Sequence, residues 1–379
     1  MSSGTAAVLG AAQSDFGRFP ERRLQEMAWS AIETALQHAG VEPDEIDAVF
    51  VGNVFGPSGV AARVVRDAGI QNVPVIRVEA ACASGTLAAH EAVLAVRSGR
   101  HRTVLALGIE QMSVQFNGAI IPEQSDPEGS LGLPLPGLYA LQANWYLERF
   151  GHDVSDIAAV AVKNRAHGEK NPHAHRQQAV TLDEVLSSRV IAEPLTVLQC
   201  CPVSDGAAAA VFGNPRPGAA DVVVEGTGFS GGRAWPGDHD EPWGTGSIRR
   251  AAQQAVADSG RDLRHADVFE VHDAFTIGEL LTIEALGLCA AGEAPRLLAE
   301  GFFHPEGRWP VNVSGGLLSR GHALGATGLA QIAEVWAQLT GAAGERQLPQ
   351  PGMGVVETMG GGASGLDGNA AGVMVLTAQ

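Results

Sequence analysis

Apolar positions recur along the chain in two alternating rhythms. Residues 31–39, "AIETALQHA", have the spacing of an amphipathic helix, and "DAVFVG" at 47–52 is a short apolar run typical of a buried strand. Gly40 stands between them as a helix stop, followed by an acidic linker. The same grammar returns at a constant offset of 220. Residues 251–273, "AAQQAVADSGRDLRHADVFEVHD", match residues 31–53 without a gap. Ala31 corresponds to Ala251, Ala35 to Ala255, Gly40 to Gly260, Asp47 to Asp267 and Val51 to Val271.

A second pairing is looser but keeps its order. "VPVIRVEAACASGTLAA" (73–89) and "WPVNVSGGLLSRGHALGATGLAQ" (309–331) each predict strand, small-residue turn, helix. Both halves then end in a strand that reaches glycine, "RTVLALG" (102–108) and "MGVVETMGGG" (353–362). The pattern predicts two similar α/β halves of βαβαβ type, residues 1–114 and 221–379. Between them, 115–220 has a different texture, with the Pro/Gly-rich "PEGSLGLPLPG" (127–137). It reads as an insertion carried on the first half, with a strand returning to that half, and long insertions commonly carry binding function.

Composition narrows the function class. At 379 residues the chain is too long for one ordinary core. A net charge of −17 argues against a nucleic-acid surface, so an anionic ligand must be met by a local basic patch. Lys163, Arg165, His167, Lys170, His173, His175 and Arg176 form the densest such cluster, although a solvated helix face would look the same. The N-terminal residues lack the pattern of a signal peptide and no apolar run reaches membrane-spanning length, so a soluble, cytoplasmic protein without membrane contact is expected. Four cysteines, none in a CxxC pair, predict neither a disulfide framework nor a structural metal site.

Three elements carry chemistry. Cys82 lies in "EAACASG" at a strand-to-helix junction, where a helix dipole favours thiolate and small neighbours leave room for a substrate. His322 lies in "SGGLLSRGHALGATG" (314–328), the turn that corresponds to that of Cys82 in the other half. If the halves pack about a pseudo-twofold axis, the two turns face each other and supply nucleophile and base. "FEVHDAF" (269–275) places His272 and Asp273 at the carboxyl end of a strand, where open α/β sheets put ligands, with Asp273 also suited to capping the following helix.

"ACASG", "HDAF", "SGGLLSRGHALGATG" and the terminal "GGGASG" stand in the order seen in the thiolase superfamily. The chain most resembles its sterol carrier protein and lipid-transfer branch, which has His-Asp-Ala-Phe where ordinary thiolases have Asn-Glu-Ala-Phe. The resemblance implies a thiolase-like fold, five-layered α-β-α-β-α. It also implies acyl transfer from a coenzyme A thioester to Cys82, with His322 accepting the proton and no permanently bound cofactor. Backbone N–H groups at Cys82 and in the Gly360–Gly362 turn, Gly361 and Gly362 above all, would hold the thioester oxyanion. His272 and His322 would bind the enolate oxygen of the second substrate, and Lys163, Arg165, His167, Lys170 and Arg176 the phosphates of CoA. A homodimer is implied, and a small OB-fold partner protein is required by some relatives.

Two departures from the family pattern stand out. The cysteine usual in a Cys-x-Gly turn near the C-terminus is replaced by Thr358, whose hydroxyl is too weak an acid to shuttle an α-proton. Ala323 follows His322 where the family has proline. Cys82, His272 and His322 therefore also resemble the Cys-His-His set of decarboxylating ketoacyl synthases. Decarboxylative condensation, transfer to a non-CoA acceptor, and an acyl-CoA- or lipid-binding subunit with weak activity are the alternatives. Cys200, Cys201 and Cys289 read as core residues.

Overall fold

The computed structural model describes residues 4–120, 126–234, 241–361 and 365–379. The first half contains β1 (Ala6–Gln13), α1 (Leu24–Ala39), β2 (Ala48–Gly52), α2 (Val60–Asp67), β3 (Val75–Val78), α3 (Ser84–Arg97) and β4 (Thr103–Gln111). The insertion adds α4 (Pro127–Ser130), α5 (Leu135–Phe150), α6 (Val154–Gly168), α7 (Leu182–Ser187) and a small hairpin, β5 (Val190–Ala192) and β6 (Leu195–Thr196). The chain then returns as β7 (Asp205–Gly213). The second half follows with β8 (Val222–Gly231), α8 (Thr245–Ser259), β9 (Val268–Glu270), α9 (Thr276–Ala285), α10 (Ala294–Ala299), α11 (Gly316–Ser319), α12 (Thr327–Thr340), β10 (Met353–Gly360) and β11 (Ala370–Ala378).

The repeat is physical. α1 buries Met27, Ala28, Ala31, Ile32 and Ala35 along one stripe and stops at Gly40, whose φ of 60° lets its N–H cap the helix end. α8 buries Ile248, Ala251, Ala252 and Ala255 and stops at Gly260 with φ 66°. Each is followed by a 3₁₀ turn, Pro43–Glu45 and Leu263–His265, and then by its strand.

Among the described residues, nine strands form one sheet in the order β3-β2-β4-β7-β1-β8-β11-β10-β9. β2 pairs in parallel with β3 and β4, and β9 in parallel with β10, while β7 runs antiparallel between β4 and β1. The two halves are therefore joined edge to edge by the short antiparallel pairing of β1 with β8, which the sequence pattern did not suggest. Layering still follows the expected five tiers. α1 and α2 cover one outer face, α8 and α9 the other, and α3 and α12 pack together between the two parts of the sheet. The second-half strand expected at "WPVNV" is reduced to a single bridge between Val311 and Phe269.

Close backbone approach fixes how the two halves meet. A Cβ on Gly85 would lie 2.7 Å from the Gly325 carbonyl oxygen, and one on Gly108 would lie 2.3 Å from the same atom. Neither obstacle is a movable side-chain tip. Gly108→Ala is accordingly expected to destabilise the protein by about 1–3 kcal/mol, read from the midpoint of chemical unfolding. An unchanged midpoint would show that the loop before α12 shifts freely.

Candidate active site

The N-terminal ends of α3 and α12 meet at the centre of the molecule, and the two predicted turns face each other there. Ala81, with φ 49°, swings the chain from β3 into α3 through a backbone region that alanine rarely occupies. The turn is pinned by Ser84, whose hydroxyl accepts from the Ala80 N–H at 2.9 Å and donates to the Ala81 carbonyl at 2.6 Å. Cys82 is thereby buried with its sulfur 3.2 Å from Nε2 of His322.

The tautomer of His322 follows from its other neighbour. Thr327 Oγ1 donates its one proton to the Ala323 carbonyl at 3.0 Å, so at 2.7 Å from His322 Nδ1 it acts as acceptor. Nδ1 therefore carries the hydrogen, and the bare lone pair of Nε2 faces the thiol. His272 comes from the end of β9, where its backbone N–H donates to Glu357 Oε2 at 3.0 Å. Its ring meets His322 edge to face at 5.3 Å, and its buried Nε2 has no hydrogen-bond partner among the described residues. The cysteine sulfur and one nitrogen from each histidine lie within 4.8 Å of one another.

Burial sets the charges. It pushes the Cys82 thiol up to about 12, although the backbone N–H groups of Gly361 and of Cys82 itself, directed at the sulfur, pull the other way. The thiolate expected from the helix dipole is thus not the resting form. Cys82 precedes the first helical residue by two positions, and its desolvation outweighs the dipole. Burial also holds His272 down to about 3 and His322 well below the usual imidazole range. The resting pair is a neutral thiol donating to a neutral imidazole. Gly362, the other residue expected near the oxyanion, lies outside the described residues.

Asp273 does not cap its own helix. Its carboxylate accepts from the N–H groups of Leu317 at 2.6 Å and Leu318 at 3.3 Å and from Asn164 at 2.7 Å. It is a strut that ties the end of β9 to the segment leading to His322. Thr358 is fully buried, donating to Gln331 Oε1 at 2.5 Å and accepting from Thr86 at 2.8 Å, so its hydroxyl is engaged away from the cavity.

A cavity of about 1010 Å³ opens in front of Cys82, His272 and His322. Its walls are largely apolar, with Phe55, Met112, Leu135, Tyr139, Phe275 and Leu324, and the exposed Arg18 and Arg189 stand on its lining with Arg176.

The basic cluster does not form one surface. Lys163 is 2% exposed, paired with Glu279 at 3.0 Å and donating to Asn164 and the Val311 carbonyl. Arg165 and His167 are buried as well, and exposed Lys170 lies off the cavity lining. His173 pairs with Asp15, leaving His175 and Arg176 as the members that line the cavity. α6 turns the inward stripe of this run toward the core, and the alternation of charge could not show which stripe that is. Removing one partner of a buried pair strands the other, so Lys163→Met is expected to cost about 3–5 kcal/mol of stability. Thermal unfolding of the variant checks it; an unshifted transition would mean that the buried pair adds nothing to stability.

Arg18, Arg189, Tyr139 and Cys201 were not flagged by sequence. They come from four separate segments, and no local signal marks them as neighbours. Cys201, read as core, lines the cavity.

Comparison with known proteins gives two family matches, "Thiolase, N-terminal domain" over residues 6–215 and "Thiolase C-terminal domain-like" over residues 238–376. The chain is 36% identical over 368 residues to an acetyl-CoA acetyltransferase of Methanothermobacter thermautotrophicus, covering 94% of this chain and 96% of that protein. It is 34% identical over 383 residues to sterol carrier protein 2 of Oryctolagus cuniculus, covering 94% of this chain and 70% of the relative. Among solved structures, the Ltp2-ChsH2(DUF35) aldolase superimposes with a TM-score of 0.85 at 25% identity, covering 100% of this chain and 98% of that one.

Proposed function

The chain belongs to the thiolase family and is an acyltransferase of carbon–carbon bond chemistry beside a CoA thioester, and we propose that it works through an acyl group carried on Cys82. The observation that carries this reading is the 3.2 Å contact of the Cys82 thiol with the bare Nε2 of His322. His322 takes the thiol proton as the sulfur attacks, so no costly free thiolate forms inside the protein. The N–H groups of Cys82 and Gly361, already aimed at the sulfur, hold the oxyanion that develops on the acyl carbon. The protonated Nε2 of His322 and the unpaired Nε2 of His272 bind the enolate oxygen of the other fragment. Intact mass after mixing with an acyl-CoA tests it: the adduct is expected on Cys82 and absent from Cys82→Ala. Wild type without an adduct, or an adduct surviving the substitution, overturns the reading.

The arginines on the cavity lining, Arg18, Arg176 and Arg189, suit the phosphates of CoA better than the inward-turned residues of the insertion. The double variant Arg176→Ala/Arg189→Ala is expected to raise KM for the acyl-CoA about tenfold with kcat nearly unchanged, since these contacts lie away from the reacting atoms. Unchanged KM would place the nucleotide elsewhere.

A homodimer is supported by β3, which among the described residues is the end strand of the sheet, paired with β2 alone, and which carries Ile76 at 38% exposure, with Leu94 of α3 at 43%. Light scattering at twice the chain mass would bear this out. A small partner protein is supported by the DUF35 component named in the similar aldolase structure, and co-purification with a change in turnover is its test.

Decarboxylative condensation is the second reading, favoured by the engagement of Thr358 with Gln331. Carbon dioxide released from malonyl-CoA in step with CoA would establish it, because the carbanion then forms without a base.

A further inference from the structure

A carbon–carbon bond beside a thioester cannot break productively unless the α-carbon of the departing fragment receives a proton. Among the described residues, the titratable side chains lining the cavity, arginines aside, are Glu79, Cys82, Tyr139, His175, Cys200, Cys201, His272 and His322. Most are committed. Glu79 accepts from the Ala81 N–H, His175 is hydrogen-bonded to Ser204, and the Cys200 thiol donates to the Thr196 carbonyl. Cys82, His272 and His322 are used by the acyl-transfer step. Tyr139 and Cys201 remain.

Their placement separates them. The chain at Cys200–Cys201 runs as a short antiparallel bridge beside the His272 loop, Cys200 opposite Phe275, and the Cys201 N–H donates to the Ala274 carbonyl at 2.8 Å. Cys201 is therefore held next to the residue that follows His272-Asp273, on the same cavity as the unpaired Nε2 of His272. Its thiol donates no hydrogen bond to another described residue. Tyr139, by contrast, lies flat on Phe275 with ring centres 4.2 Å apart and Trp243 against its edge, the setting of a wall residue.

We propose that Cys201 is the acid that protonates the α-carbon of the departing thioester, and the base that removes that proton in the reverse direction. The proposal rests on the acyl-Cys82 reading. Cys82 bonds to the β-carbonyl carbon as its proton passes to His322. The Cα–Cβ bond then breaks and its electron pair goes to the α-carbon as an enolate. The Cys201 S–H transfers its proton to that carbon and is left as thiolate. After that product leaves, the Cys201 thiolate recovers a proton from His322; incoming CoA thiol then gives its proton to the neutral His322 as its sulfur displaces the acyl group from Cys82, and the Cys82 sulfur takes that proton back. Burial favours the neutral thiol at Cys201, the form needed for donation, and a charge on Cys82 makes charging Cys201 harder. The two sulfurs therefore suit charges that alternate, Cys201 becoming thiolate while Cys82 is a neutral thioester.

The test combines acylation with hydrogen exchange at carbon. Full-length wild type, Cys201→Ala, Cys201→Ser and Tyr139→Phe are each mixed with acetyl-CoA in deuterium oxide. Adduct on Cys82 and deuterium at the acetyl methyl are followed by mass spectrometry. Both Cys201 variants are expected to exchange at least about 100-fold more slowly than wild type while Cys82 is acylated within a few-fold of its normal rate. The serine variant keeps the size of the side chain, so its loss is not one of packing. Tyr139→Phe is expected to exchange normally. Adduct with undiminished exchange in the Cys201 variants overturns this proposal alone, as does loss of exchange in Tyr139→Phe only. Absence of an adduct on wild-type Cys82 overturns the acyl-enzyme reading and this one with it.

Discussion

Cys82→Ala is expected to lower kcat by on the order of 10⁴-fold or more, the loss usual when the nucleophile of a cooperating set is removed. The size of the effect follows from the site. His322 Nε2 has one thiol within hydrogen-bond reach, and the backbone N–H groups of Cys82 and Gly361 are aimed at that sulfur. Water admitted in place of the sulfur could release acid from a thioester but could not hold the acyl group for a second substrate. Cys82→Ser keeps the shape and is also expected to lose at least about 10³-fold, because an alcohol is far less acidic than a thiol. Both variants should unfold near the wild-type midpoint, since they remove one small atom at most and create no unpaired charge. Turnover of the alanine variant within tenfold of wild type would show that acyl transfer does not pass through this residue.

The second large effect is expected at His322. His322→Ala should slow acylation of Cys82 by about 10²- to 10⁴-fold, the range for loss of a general base. The pH profile distinguishes this role from a packing role. A base works in its unprotonated form, and burial keeps His322 well below the ordinary imidazole value of 6.5. The unprotonated fraction is therefore already near one at neutral pH. Acylation by wild type should stay flat as pH falls through the usual histidine range and decline only at pH well below it. Thr327→Val removes the acceptor that keeps the hydrogen on Nδ1, without touching substrate. It is expected to reduce acylation about tenfold, by letting the hydrogen occupy Nε2 in part of the population, while the fold is kept. An acid limb centred near 6.5 in wild type would mean that the imidazole is not desolvated during the reaction.

Much of the fold was legible because its signals are local. A stripe of apolar residues ending in Gly40 or Gly260 specifies a helix and its stop whatever surrounds it. The offset of 220 then exposed two related halves and placed the turn of His322 opposite that of Cys82, which the 3.2 Å contact matches. The same locality explains the errors. A run of charges from Lys163 to Arg176 looks basic on paper, yet the helix carrying it turns Lys163, Arg165 and His167 inward, where Glu279 pairs with Lys163 and the Asn312 carbonyl meets Nδ1 of His167. Asp273 looked like a cap for the next helix and instead holds one met more than forty residues later. Continuity of the sheet through β1 and β8 was equally invisible, since two edge strands pair by position and not by any motif of their own.

By itself, then, the sequence determined the alternation of elements and their repetition and marked Cys82, His272 and His322 as candidates, because periodicity and short motifs depend on neighbours a few residues apart. The tertiary structure alone decided which groups share the cavity and what charge they carry. Cys201, Arg18 and Arg189 reach one cavity only through packing. Cys82 and His322 rest neutral because burial removes water from both, a cost set by everything around them and by nothing within the heptapeptide that carries the thiol.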